Sequence, residues 1–340
     1  MSNATLTAPN ATATTLVLNS HRRARRTIAN VLRDAWRRDQ VTPEQRSLLR
    51  PRHLLLVGPT GSGKTTLLRT MFAASDQPFL RVSASGWLRS GEDAPSAESL
   101  VATLVNQAHA QSEDASDVSL GAAVLWIDDV QTLVVDDDDD HASAARTLQR
   151  ELVRLLDETS FSTPVGVIAT DELLVVLSGT TNSGKPPELL PDLGARMVAQ
   201  IMLEPLGDVD LVTLLREPLL PFCARYVALG AADGVTLSFD DEALEELAAI
   251  ANELNARHDD MGAHRLAGLL DRVVEPHLPT ALDDDDVTPH VEDASNSAND
   301  DSDGTSDANT DAATVIITAA MVDERLADLL EDDDLDGAIL

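Results

Sequence analysis

Lysine is nearly absent from this chain. Of 340 residues only Lys64 and Lys185 are lysines, so arginine supplies the rest of the 25 basic side chains. Against them stand 58 Asp and Glu, giving a formal charge of −33. A chain this negative repels phosphate backbones and anionic lipid, so general affinity for nucleic acid or acidic membranes is not expected of it. Dense carboxylates with few lysines suit concentrated salt, where the Debye length falls to about 3 Å near 1 M and self-repulsion is blunted. Salt adaptation is the expected meaning of the charge, ahead of a specialised acidic function. Cysteine is almost missing too: one thiol, Cys223, excludes an internal disulfide and a Cys-rich zinc module. No apolar run approaches the ~20 residues that span a bilayer. The opening MSNATLTAPN lacks the charged and apolar regions of a secretory signal. The expected location is the cytoplasm, and the chain is long enough to bury a real core.

What is present is unevenly spread. Residues 1–14 are small and polar, and read as a leader without structure. Residues 21–52 hold ten arginines against Asp34, Asp39 and Glu44. Within them Ile28, Val31, Leu32 and Trp36 recur at helical spacing, which predicts an amphipathic helix. Its arginines could meet an anionic partner or pair with the chain's own carboxylates; the second is the expected use. Residues 282–312 carry ten aspartates and Glu292, with no aromatic, Lys or Arg. Such a segment has too little apolar surface to offset its ordering entropy, so a disordered insertion is expected. Asp136–Asp140 reads as a solvated loop, and metal binding is not the expected role of either aspartate run.

The remaining pattern alternates. His53–Val57 is a short apolar run before glycines, as in a buried parallel strand. Further strands are expected at Phe79–Val82, Ala122–Ile127 and Pro164–Ala169. Helices are expected at Lys64–Ala74, Glu98–His109 and Ala144–Leu156. Strands alternating with helices predict a doubly wound parallel α/β sheet over residues 15–203. Residues 204–340 predict a smaller, mostly helical domain. Its helical periodicity lies at Leu211–Leu215, Asp241–Leu254, Gly262–Val274 and Met321–Leu330, with short β-like runs at Val235–Phe239 and Val315–Thr318.

Two motifs carry the chemistry. Gly58-Pro59-Thr60-Gly61-Ser62-Gly63-Lys64-Thr65 fits G-x-x-x-x-G-K-[ST] between a strand and a helix, with Thr66 next in the cradle. Glycines there let backbone N–H groups converge on phosphates, and the helix start adds its positive dipole end. The motif assigns Lys64 to the β- and γ-phosphates of ATP and Thr65 to Mg²⁺. The strand Ala122–Ile127 then ends in Asp128-Asp129. Asp128 is the expected water-mediated Mg²⁺ ligand, and Asp129 the acid that polarises the attacking water. An ABC-type ATPase would place an LSGG signature between the two motifs; here Leu177-Ser178-Gly179 comes after both.

Several further blocks resemble the HslU (ClpY) family of AAA+ ATPases, with the ClpX family next. RRARRTIANVLRDAWRRDQ at 22–40 is similar to the family's opening helix, and PRHLLLVGPTGSGKTTLLR at 51–69 to its first strand and loop. LQRELVRLL at 148–156 and PPELLPDLGAR at 186–196 resemble the helix after the second motif and the arginine-finger segment. RYVALGAADGVTLSFDDEALEELAAIA at 225–251, MGAHRLAGLLDRVVE at 261–275 and the ending DDDLDGAIL resemble the small domain and tail. The resemblance implies an AAA+ P-loop NTPase fold and a ring, expected to be a hexamer. It implies ATP with Mg²⁺, protein unfolding, and an HslV-like peptidase partner docked through Leu335–Leu340. It makes Arg196 the finger reaching a neighbour's γ-phosphate, and puts Asp192 near the nucleotide and Leu18 and Asn19 against adenine. The family's sensor arginine falls on His264, with Arg265 beside it.

The departures shape the expected function. Asp129 stands where the family has glutamate, one methylene shorter, which would slow hydrolysis. Histidine at 264 is only partly charged near neutrality, which would weaken nucleotide-dependent coupling. The pore stretch is Gly91-Glu92-Asp93-Ala94, where the family has an aromatic between glycines; Trp87 nearby is expected in the core instead. The family's large intermediate domain has no room between the motifs. The expected function is an ATP-hydrolysing subunit of an HslUV-type protease. Two rivals stay open: a nucleotide-binding regulatory subunit that docks on the peptidase without translocating substrate, and a nucleic-acid-remodelling ATPase using residues 21–52.

Overall fold

The computed structural model describes residues 18–331 except 43–44, 46–48, 50, 76–77, 90–95, 112–122, 135–141, 164–165, 172, 182–183, 218–221, 259 and 279–312. The expected leader at 1–14, pore stretch at 91–94, aspartate loop at 136–140, acidic insertion at 282–312 and tail at 335–340 thus lie outside the described residues. The chain divides into two compact units, Met1–Asp210 with His258–Ala263, and Leu211–Arg257 with His264–Leu340.

The first unit runs α1 (Arg22–Asp39), β1 (Leu54–Gly58), α2 (Lys64–Ala73), β2 (Phe79–Ser83), α3 (Ala84–Arg89), α4 (Ala97–Gln111) and β3 (Val124–Asp128). It continues through α5 (Ala142–Asp157), β4 (Ser160–Thr163), β5 (Gly166–Ala169), β6 (Leu174–Thr180), α6 (Pro191–Gly194) and β7 (Ala199–Met202). Five strands form one sheet in the order β2-β3-β6-β1-β7, every pair parallel. The inner strands are continuous apolar runs because both faces are covered by helices. Alternation sends Leu54 and Leu56 to one face with Ile28, Leu32, Phe72 and Trp126. Leu55 and Val57 go to the other face with Leu104, Leu152 and Leu177. The predicted amphipathic helix is α1: it buries Ala24, Ile28, Val31, Leu32 and Ala35, while Arg22, Arg23, Arg26, Arg33 and Arg37 are exposed. Arg37 meets Asp34, whereas Arg38 is buried and donates to Asp171 O at 3.0 Å.

One strand assignment is corrected. The expected fourth strand at Pro164–Ala169 is real over Gly166–Ala169 but pairs antiparallel with β4 outside the main sheet. Four residues two positions beyond a neighbouring strand close a hairpin before they can cross over to a parallel partner. The place in the sheet belongs to β6, whose Leu174–Ser178 stretch is wholly buried between β1 and β3.

The second unit takes up most of α7 (Asp208–Arg216), then α8 (Cys223–Ala232), β8 (Val235–Phe239), α9 (Asp241–Arg257), α10 (His264–Val274), β9 (Ala313–Ile317) and α11 (Ala319–Glu331). The two β-like runs pair in parallel, Val235 opposite Ala313. Leu244, Leu247 and Leu254 of α9, Leu266 and Leu270 of α10, and Val322 and Leu326 of α11 are buried, the single apolar stripe of each amphipathic helix. Among the described residues no helix is long and apolar enough to cross a membrane.

Candidate nucleotide site

The glycine-rich loop leaves the C-terminal end of β1 and opens α2, the edge of a parallel sheet where ligands of this fold class bind. Gly61 and Gly63 hold φ of 68° and 81°, the left-handed region a side chain resists. A Cβ on Gly63 would also stand 2.9 Å from the His21 ring. Lys64 begins α2 and is buried, with Nζ donating to Gly58 O at 3.0 Å and to Pro59 O at 2.6 Å. Burial pulls its ammonium below the ordinary lysine range, opposed by the charges of Asp128, Asp129 and Asp260. Ser62 Oγ is buried without a hydrogen-bond partner. An orphaned donor beside a buried cation, in a loop bent by two left-handed glycines, fits a polyphosphate. Pro59 is half-buried, and Thr60 and Thr66 are exposed around it.

The loop is braced from two sides within the first unit. His21 is buried, and because Ser62 O can only accept, His21 Nε2 donates to it at 2.7 Å. Burial holds this imidazole below its usual value. His21 is fixed in turn by its neighbours: Asp210 accepts from Asn19 N at 2.6 Å and Ser20 N at 3.1 Å, and Leu18 is buried. On the other side Ala263 N donates to Gly61 O at 3.1 Å. Met261 O stands so close that a Cβ on Gly61 would lie 1.9 Å from it.

Asp128 is the hub. It ends β3 and is 3% exposed, with five donors around one carboxylate. Oδ2 accepts from Arg81 Nη2 at 2.6 Å, Arg81 Nε at 3.1 Å and Thr65 Oγ1 at 3.3 Å. Oδ1 accepts from Ser178 Oγ at 2.5 Å and Asp129 N at 3.1 Å. Ser178 reaches Asp128 because β6 lies between β1 and β3. Its oxygen also accepts from Trp126 Nε1 at 2.7 Å, and the Arg81 guanidinium lies 5.0 Å over the Trp126 ring. Asp129 follows with φ 63° and ψ 37°, left-handed for a residue that is not glycine. Aspartate tolerates that conformation better than most at a cost of about 1 kcal/mol. Its Oδ2 lies 3.4 Å from Ser83 Oγ, which donates to it.

Arg196, of the first unit, makes none of the bonds of this hub. Arg196 follows α6 on the surface, with Nε and Nη2 donating to Asp157 at 2.7 and 2.6 Å and Nη1 donating to Asp192 O. His264, first residue of α10, is exposed, and Arg265 is buried within the second unit with Nε donating to Asn255 Oδ1 at 2.7 Å. Trp87 is 2% exposed on α3, in the core as expected. Sequence reasoning missed Arg81, Ser178 and His21. The apolar run before Ser178 has the character of a buried strand, but the place of Ser178 beside Asp128 comes from the sheet order. Nothing in the sequence flagged Arg81 or His21, which reach the site through tertiary contacts.

Comparison with known proteins agrees with this geometry. Residues 54–205 match the model of the AAA family, ATPases associated with various cellular activities. The chain is 24% identical to the ATP-dependent protease ATPase subunit HslU of Bartonella tribocorum, over 76% of this chain and 88% of that protein. It is 23% identical to the HslU subunit of Desulfotalea psychrophila, over 93% of this chain and 94% of that one. For Hyphomonas neptunium HslU the identity is 24%, over 93% and 95%.

Proposed function

Because the chain is a distant HslU-like AAA+ ATPase, we propose that it is the ATP-hydrolysing subunit of an HslUV-type protease, unfolding proteins and activating an HslV-like peptidase. The observation that carries the reading is the meeting of Lys64, Thr65 and Asp128 at one sheet edge, with Thr65 Oγ1 3.3 Å from Asp128. Lys64 and the loop amides would hold the β- and γ-phosphates, and Thr65 and Asp128 the magnesium. That ion supplies charge neutralisation on the phosphates when bound. Mg²⁺ takes six oxygen ligands and keeps several waters, so two protein oxygens suffice alongside phosphate. Asp129 polarises the attacking water, with Ser83 and the left-handed backbone aiming its carboxylate. Leu18 and Asn19 would flank the adenine, and Asp192, His264 and Arg265 would answer to nucleotide state.

Arg196 would act on a neighbour's γ-phosphate in a ring, leaving Asp157 to do so. Guanidinium charge supplied across a subunit boundary makes turnover depend on assembly. The exposed pair with Asp157 opposes this weakly, since surface ion pairs contribute about 0–1 kcal/mol. Lys64→Ala is expected to abolish ATP turnover, and Arg196→Ala to lower it about a thousandfold. Mixing the two inactive variants is expected to restore part of the activity, because one protomer's loop then meets the other's arginine. Full turnover by Lys64→Ala, or no recovery on mixing, would overturn the corresponding assignment.

A second reading has a specific support. Glu92 replaces the substrate-gripping aromatic, and Trp87 is buried in the core. A subunit of that kind docks through Leu335–Leu340 and activates the peptidase without translocating. Cleavage of small peptides together with a stably folded protein favours the unfoldase; cleavage of peptides alone favours the regulatory subunit.

A further inference from the structure

Asp128 has more donors than it can serve. A carboxylate offers about four lone-pair sites, yet Arg81, Thr65, Ser178 and the Asp129 amide present five N–H or O–H groups to it. Arg81 takes the Oδ2 edge, which also faces Thr65. Oδ2 is the oxygen that bonds Thr65, so it is the one through which Thr65 and Asp128 together would hold a divalent ion. The guanidinium is anchored there twice, by two bonds to Oδ2 and by stacking over Trp126, whose own N–H feeds Ser178 and so the opposite oxygen. A divalent ion held by Thr65 and Asp128 would meet the Arg81 charge on the same carboxylate edge. Arg81 must give up Oδ2, or share it against like-charge repulsion.

We propose that Arg81 is a counter-ion of Asp128 that competes with the divalent metal and thereby sets how much metal the ATPase site needs. It is a positioning residue: it acts through Asp128. The inference rests on the nucleotide-site reading above. A merely structural Arg81 would, on removal, loosen the site and weaken metal binding. A competing Arg81 makes the opposite prediction, because its removal frees Oδ2 while Ser178 and the Asp129 amide still aim the carboxylate.

The test is a Mn²⁺ titration of the full chain at saturating ADP, with free Mn²⁺ read by electron paramagnetic resonance. Arg81→Met, which keeps the stem over Trp126, is expected to bind Mn²⁺ about tenfold tighter than wild type, and Arg81→Lys, which keeps the charge, to stay within about threefold. ADP affinity without metal, measured with a fluorescent ADP analogue, should be equal in all three and serves as the folding control. If Arg81→Met fails that control, Arg81→Gln takes its place. Unchanged or weaker Mn²⁺ binding by a folded neutral variant overturns the proposal while leaving the nucleotide site standing. Absence of ADP binding by wild type overturns both.

Discussion

Replacing Ser178 with alanine strikes the hub from the sheet side. Trp126 and Ser178 are both fully buried, so water cannot make good what the hydroxyl did. The change removes a bond to a charged acceptor, which contributes about 1.5–3 kcal/mol, and strands the indole N–H at a cost of about 1–3 kcal/mol. Relaxation around one missing oxygen recovers some of this, so a loss of about 3 kcal/mol in unfolding free energy is expected. Urea denaturation of wild type, Ser178→Ala, Trp126→Phe and the double variant closes a thermodynamic cycle. Phenylalanine has no N–H to strand, so the double variant should lose less than the two single losses combined, by about 1 kcal/mol or more. ATP turnover should fall in Ser178→Ala as well, because Asp128 loses the donor that orients Oδ1. Additivity within about 0.5 kcal/mol, or a single-variant cost below about 1 kcal/mol, would refute the relay from Trp126 through Ser178 to Asp128.

Other outcomes follow from the same geometry. His53 Nδ1 accepts from Val175 N at 3.2 Å, and burial, helped by the Arg38 charge, lowers its pKa to about 4. The folded value lies below the unfolded one, so the unfolded chain binds the extra proton. Stability is full above pH ~6.5 and falls by about 3 kcal/mol as the pH drops towards 4. The substitution His53→Asn keeps an acceptor and removes the titration, so the gap between wild type and variant should close over that window; parallel curves would refute the assignment. Asp129→Glu restores the carboxylate reach of the related ATPases. Hydrolysis should rise several-fold with nucleotide affinity unchanged, at a stability cost of about 0.5–1 kcal/mol for a longer side chain at φ 63°. Slower hydrolysis would show that aspartate is already the fitted length.

The parts of the fold that follow from local periodicity were readable in advance. The loop Gly58–Lys64, the strand ending in Asp128 and α1 with Ile28, Val31, Leu32 and Trp36 need nothing beyond neighbours in sequence, and each lies where the pattern put it. Residues 166–169 misled because a short apolar run looks the same in a hairpin as in a parallel strand, and partner choice is a long-range matter. Arg81 and Ser178 were illegible for a related reason. An arginine on β2 and a serine on β6 acquire meaning once the order β2-β3-β6 sets them on either side of Asp128. His21 needed the turn at Leu18–Ser20 to carry it under the phosphate loop. Arg196 was legible as a motif, while its partner Asp157 lies 39 positions away and leaves no local trace.

The brace from Leu18 to His21 sets a rule for anyone building variants of this chain. Those residues look dispensable, a few small side chains ahead of a long arginine-studded helix. Yet cutting at residue 22 would take away the imidazole under Ser62 and both amides that Asp210 holds. A purification handle fused there would press on the glycine-rich loop itself. Tags and labels belong upstream of Leu18, where the contacts of residues 18–21 are left intact.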